Sequence, residues 1–156
     1  GQNPADALEK LEKLAERGAL PPVGKRLYLE GQVILQEYRH SRGQKTTNLA
    51  EIERELEECV AFNPEQEYVY LTLGRFCELK ARLGEEAGDW LQKGLEAYDK
   101  ALAFNSRSAL SFLGKSRIHR LLSAPGQPDH LKLADEFQTK AFELNGFLQE
   151  KNNSQN

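Results

Sequence analysis

The 156-residue sequence predicts an all-α fold, an α-solenoid of antiparallel helix pairs, on three observations. Apolar residues return at spacings of three and four through most of the chain, while strand signals are scarce. The phrases Cys59-Val60-Ala61-Phe62-Asn63-Pro64, Ala101-Leu102-Ala103-Phe104-Asn105-Ser106 and Ala141-Phe142-Glu143-Leu144-Asn145-Gly146 align, with their asparagines 42 and 40 residues apart. Gly31, Gly74 and Gly114 recur 43 and 40 residues apart. A glycine costs about 1 kcal/mol in a helix interior relative to Ala, so three in step point to close helix contact.

Each repeat reads as two helices. Asn followed by Pro, Ser or Gly stops the second, since those residues favour turns or break helices. Leu49, Leu91 and Leu131 stand fourteen residues before the three asparagines. Polar or glycine-bearing stretches, Ser41 to Asn48, Gly84 to Asp89 and Ser123 to Asp129, form the loops between paired helices. The spacing predicts helices over 4–17, 22–41, 47–62, 65–83, 87–104, 107–122 and 129–144. They form one repeat domain over 1–146, with units over 21–64, 65–106 and 107–146.

The helix over 4–17, with Leu8, Leu11, Leu14 and Ala15 on one stripe, takes the place of the second helix of an earlier unit. Its missing partner, and a start at Gly1-Gln2-Asn3-Pro4, are expected of an excerpt from a longer protein with sequence upstream. Residues 147–156 are polar, without apolar period, and are expected to be disordered.

A net charge of −3 with interspersed signs argues against nucleic-acid binding, which needs a clustered Lys/Arg face. No apolar run approaches the roughly 18 residues of a membrane span. Cys59 and Cys77 lack the paired short spacing of a zinc site and read as two buried thiols in a reducing cytosol, so the expected location is cytoplasmic.

The repeat resembles the tetratricopeptide repeat, whose signature is W-x-x-L-G-x-x-Y, then A-x-x-x-F, then A, then P. The middle unit supplies Tyr70, Leu73, Gly74 and Cys77, then Gly94, Tyr98, Ala101 and Ser106. The following unit supplies Leu110, Leu113, Gly114 and Arg117, then Ala134, Gln138, Ala141 and Gly146. The preceding one supplies Leu27, Glu30, Gly31 and Ile34, then Ile52, Leu56, Cys59 and Pro64. Each unit is longer than the family's roughly 34 residues, with the excess between its helices, a period also close to that of HEAT or half-a-tetratricopeptide repeats. Lengthened units of this kind are similar to the arrays that follow the kinase domain in some bacterial serine/threonine kinases. This chain has none of the kinase motifs, so the resemblance implies a kinase-associated module and no kinase activity within it.

No motif in the chain marks an enzyme, a metal site or a cofactor. Gly114-Lys115-Ser116 imitates the end of a phosphate-binding loop, but that loop needs a glycine where Ala109 stands, and the fragment falls inside a helical pattern. His40, His119 and His130 occupy unrelated repeat positions without the i, i+4 partner of a helical metal site, and His119 reads as a solvated surface histidine. Glu57-Glu58 and Glu85-Glu86 are adjacent in sequence and so point to different parts of a helix surface. Tyr98 shares the stripe Leu91, Gly94, Ala101 and Leu102 and is expected in the core. Trp90, beside that stripe, either caps the core next to Leu83 or presents an apolar edge.

In a solenoid of helix pairs the first helices of successive units line a concave groove that takes a peptide or a partner's helix. The resemblance places the groove at Lys25, Tyr28, Gln32 and Leu35, at Tyr68, Leu71, Arg75 and Glu78, and at Ser108, Ser111, Lys115 and His119. Arg75 and Lys115 each follow a repeat glycine, which sets two cations at matching heights for a ligand carrying an acidic group. The family's carboxylate-clamp subset, which binds chaperone C-termini, uses Lys and Asn where this sequence has Tyr28, Gln32 and Leu71, so that ligand is not predicted. The expected function is a non-catalytic protein-interaction or scaffolding repeat domain. The alternatives are a self-association module of a regulatory kinase, joined through terminal helices, and an enzyme with an unrecognised site.

Overall fold

The computed structural model describes residues 13, 22–84, 86–123 and 128–146, and among them the chain is helical, without strands. Six helices follow in order: α1 Pro22–Ser41, α2 Leu49–Phe62, α3 Glu67–Arg82, α4 Ala87–Phe104, α5 Ala109–Leu122 and α6 Pro128–Leu144. The expected helix over 4–17 and the tail over 147–156 lie outside the described residues, Lys13 excepted. No described helix is long and apolar enough to cross a membrane.

The repeated asparagines end helices as the phrase repeat predicts. Asn63, Asn105 and Asn145 each donate their backbone N–H to the carbonyl four residues back, at 3.1, 2.9 and 3.0 Å. Asn63 and Asn105 then leave the helical region at φ −142° and −139°. That closes a last helical turn before the chain bends away.

Contacts divide the chain into two compact units, Gly1–Pro64 and Glu65–Asn156. In the first, α1 packs on α2. Helix α1 buries Leu29, Val33 and Gln36, and α2 buries Ile52 and Leu56. Gln36 Oε1 accepts the Thr47 N–H at 2.9 Å, tying α1 to the segment that enters α2. Leu27 and Ile34, which match the repeat signature, are 48% and 44% exposed. Leu29, Val33 and Gln36 form a competing stripe of the same period, and it is the one turned inward.

In the second unit α3 pairs with α4, α4 with α5, α5 with α6, and α3 also touches α5. Tyr70 stacks on Phe104 while Phe76 meets Trp90 edge to face, so α3 and α4 run antiparallel. Phe112 stacks on Phe137 and the His119 ring meets that of His130, which makes α5 and α6 antiparallel as well. Trp90 is half-buried against Phe76, with the Lys80 and Lys93 ammonium groups each 4.9 Å from its ring centre.

Tyr98 of α4 is 1% exposed, and its ring fills the space left by two of the repeat glycines. A Cβ at Gly74 of α3 would lie 2.6 Å from that ring, and one at Gly114 of α5 would lie closer still. Gly94 of α4 likewise admits Cys77 and Ile118, where a Cβ would stand 3.2 Å and 2.7 Å from their nearest side-chain atoms. Small residues continue this close contact into α6, whose fully buried positions are Ala134 and Ala141.

Gly114→Ala is therefore expected to lower stability by about 1–3 kcal/mol through overpacking, although alanine is the better helix former. Gly74→Ala should behave alike, whereas Gly88→Ala, which meets open space, should cost nothing. Urea unfolding of the three variants measures the difference.

Candidate binding face

Tyr68, Leu71, Arg75, Glu78 and Arg82 recur at alternating steps of three and four residues, so they share one face of α3. Glu78 is 2% exposed and forms the centre of that face. The Tyr98 hydroxyl donates to its Oε1 at 2.6 Å. Arg117 of α5 approaches as a fork, Nε to Oε2 and Nη2 to Oε1, both at 2.8 Å. Arg82 adds a longer contact, 3.4 Å, from one turn further along α3.

A buried carboxylate is costly unless its lone pairs are satisfied, and this one is met by a bidentate guanidinium and a hydroxyl. Burial holds the Tyr98 hydroxyl well above its ordinary pKa, and the Glu78 charge and hydrogen bond push it the same way. Arg117 and Arg75 oppose that rise, so the charge of Arg75 is also felt at the tyrosine. Two guanidiniums, Arg117 and Arg82, thus meet one internal carboxylate, and the charge of a third, Arg75, reaches Tyr98. The Arg82 and Arg117 side chains remain 37% and 36% exposed.

The twelve residues assigned to a groove are placed unevenly. In the first unit Lys25 pairs with Glu58 of α2 at 3.4 Å, Gln32 is buried and donates to the Tyr28 hydroxyl at 3.0 Å, and Leu35 is half-buried. In the second unit Tyr68 is 56% exposed and Arg75 half-buried, while Leu71 and Glu78 are buried. Helix α5 differs most, since Ser108, Ser111 and His119 are all buried. Ser108 caps α5, its hydroxyl accepting from the Ser111 N–H at 3.4 Å and from the Ser111 hydroxyl at 3.0 Å. Lys115 turns away from Arg75, binding Asp99 of α4 and lying 4.7 Å from the Phe137 ring centre of α6.

His119 is not a solvated surface histidine, for it is 8% exposed and its Nδ1 stands 3.0 Å from Nδ1 of His130. The Gly114-Lys115-Ser116 fragment lies mid-helix with Tyr98 over its glycine. Cys77 is fully buried and Cys59 half-buried, and burial raises the Cys59 thiol pKa. Sequence reasoning overlooked the Glu78–Arg117 pair. Its signal was the spacing of 39 residues, one repeat, between opposite charges each within a turn of a repeat glycine.

Comparison with protein-family models, with curated proteins and with solved structures returns no match for this chain.

Tyr98→Phe should cost about 2 kcal/mol, because it removes a buried hydrogen bond to a charged acceptor. Glu78→Gln should cost about 3 kcal/mol, as it leaves the Arg117 fork without its counter-charge. Chemical denaturation followed by circular dichroism reads both.

Proposed function

We propose that the chain is a non-catalytic protein-interaction module built of tetratricopeptide-like helix pairs, and that its second unit receives an acidic segment of a partner on the α3–α5 face. The order of packing supports the repeat reading. Each helix of this unit packs on the next, and α3 also touches α5, one repeat further along the chain.

The observation that carries the binding reading is the partly exposed Arg82 guanidinium, which makes only a long contact, 3.4 Å, with Glu78 beside the Arg117 fork. Arg82 and Arg117 stay partly exposed, 37% and 36%, on helices held in fixed register by Tyr98. Arginine on a rigid scaffold suits carboxylate recognition, since its planar fork loses little freedom on binding.

Fluorescence anisotropy with a labelled peptide of alternating Glu and Ser, against its Gln counterpart, tests this reading. The acidic peptide is expected to bind about ten-fold tighter at low salt and to lose that advantage as salt screens the charges. The double variant Arg75→Gln, Arg82→Gln should abolish the preference and leave the helical spectrum unchanged. Equal affinity for the two peptides would remove the acidic partner from the proposal.

A second reading rests on α1, where Leu27, Ile34 and Tyr38 form an exposed stripe, 48%, 44% and 55% accessible. A second copy covering that stripe makes the chain a self-association module, which light scattering of a strict monomer at high concentration would exclude.

A further inference from the structure

The histidine pair lies on the side of α5 away from Arg117. His119 of α5 and His130 of α6 have Nδ1 atoms 3.0 Å apart, ring centres 5.3 Å apart and ring planes 29° apart. The centre-to-centre distance exceeds the nitrogen distance by about the two ring radii, so the nitrogens meet head on. Such a contact is a hydrogen bond only when one Nδ1 carries a proton and the other does not.

The surroundings make a second charge hard to hold. Phe137 stacks on His119, centres 5.5 Å apart, and on Phe112, centres 6.2 Å apart. From α5, Lys115 presents its ammonium, and from α4, Asp99 answers it from a side chain 59% exposed. Arg120 of α5 is held by Asp135 and Gln138 of α6. The α3 charges Arg75, Glu78 and Arg82 belong to the opposite side of α5, where Arg117 points.

The proton count follows from the geometry. In the neutral pair one Nδ1–H donates to the other Nδ1. A single added proton settles on an outer Nε2 and leaves that bond in place, now charge-assisted. A second added proton turns both facing nitrogens into donors and sets two imidazolium charges against each other beside Lys115, so the bond is lost. Helix α6 fully buries only two alanines among its described residues, and the rings of Phe112, His119, His130 and Phe137 meet across its contact with α5.

We propose that His119 and His130 form a proton-sensitive latch, closed at neutral pH, whose double protonation releases α6 from α5 and uncovers Phe112 and Phe137. The direction agrees with the environment of His119. Burial, then His130 and Lys115, hold its pKa below the ordinary imidazole range, with only Asp99 opposing. A histidine whose folded value is lowered contributes stability above that range and loses it as pH falls through and below it, because the open state takes up protons first.

Hydrogen exchange of the full chain tests the latch, with amide rates corrected for the intrinsic effect of pH. Between about pH 7.5 and about pH 5.5 the α6 amides are expected to lose protection roughly five-fold or more while those of α3 and α4 change little. His130→Gln and His119→Gln supply an amide donor and acceptor without a titrating charge. In both variants the acid-induced loss should shrink to less than about two-fold. Protection of α6 that is equal at the two pH values, or variants that open in acid as fully as the parent, would overturn the latch. Imidazole titration by NMR on the parent chain gives a check independent of the variants. Two coupled steps support the shared proton, and two independent ordinary titrations refute it.

Discussion

The second unit depends on how Tyr98 is seated. Its ring occupies the room made by Gly74 on one helix and Gly114 on another, and its hydroxyl ends on the buried carboxylate of Glu78. Neither half is sufficient alone. The glycines allow α3, α4 and α5 to approach closely but leave their rotation open, since a flat ring can slide along a smooth groove. The carboxylate removes that freedom, because desolvating it costs several kcal/mol unless Arg117 and Tyr98 both reach it. A register that misplaces any of the three loses far more than one hydrogen bond.

Fixing α5 in this way decides what its remaining sides do. With Gly114 against Tyr98 and Arg117 against Glu78, successive residues at about 100° per step turn Lys115 and His119 elsewhere. They meet Asp99, Phe137 and His130 instead. One helix therefore divides two chemistries. Its α3 side carries permanent guanidinium charge, and its α6 side carries imidazoles whose charge depends on the proton concentration. A change on the second side need not disturb the first, because Arg117 is anchored through α3 and α4.

The helix boundaries were readable because they rest on local chemistry. Asn63, Asn105 and Asn145 end helices through their own backbone geometry, whatever packs around them. Rotation about each helix axis is a different matter. Along α1, Leu27, Ile34 and Tyr38 make one apolar stripe and Leu29 and Val33 another, and periodicity alone does not say which is buried. Around α5, Ser108, Ser111 and His119 read as groove positions, yet they are buried where helices approach closely. The pairs that matter most, Glu78 with Arg117 and His119 with His130, are 39 and 11 residues apart. Contact between them is a product of the fold, and only the first had a counterpart in the repeat spacing.

The same carboxylate that orders the core also shapes the way a ligand would be met. Arg117 commits Nε and Nη2 to Glu78, the geometry in which a guanidinium grips a carboxylate best. An incoming acidic group that displaced this fork would have to leave Glu78 buried beside a second negative charge, and the penalty would exceed the gain. On the proposed reading, an acidic partner would meet Arg82 first, since its contact with Glu78 is long. Arg117 acts at a distance, through its charge and by holding α5 in place. Under that proposal stability and binding would draw on the same charge cluster but on different arginines, so a change at Arg82 would alter partner choice while Glu78, Tyr98 and Arg117 keep the fold.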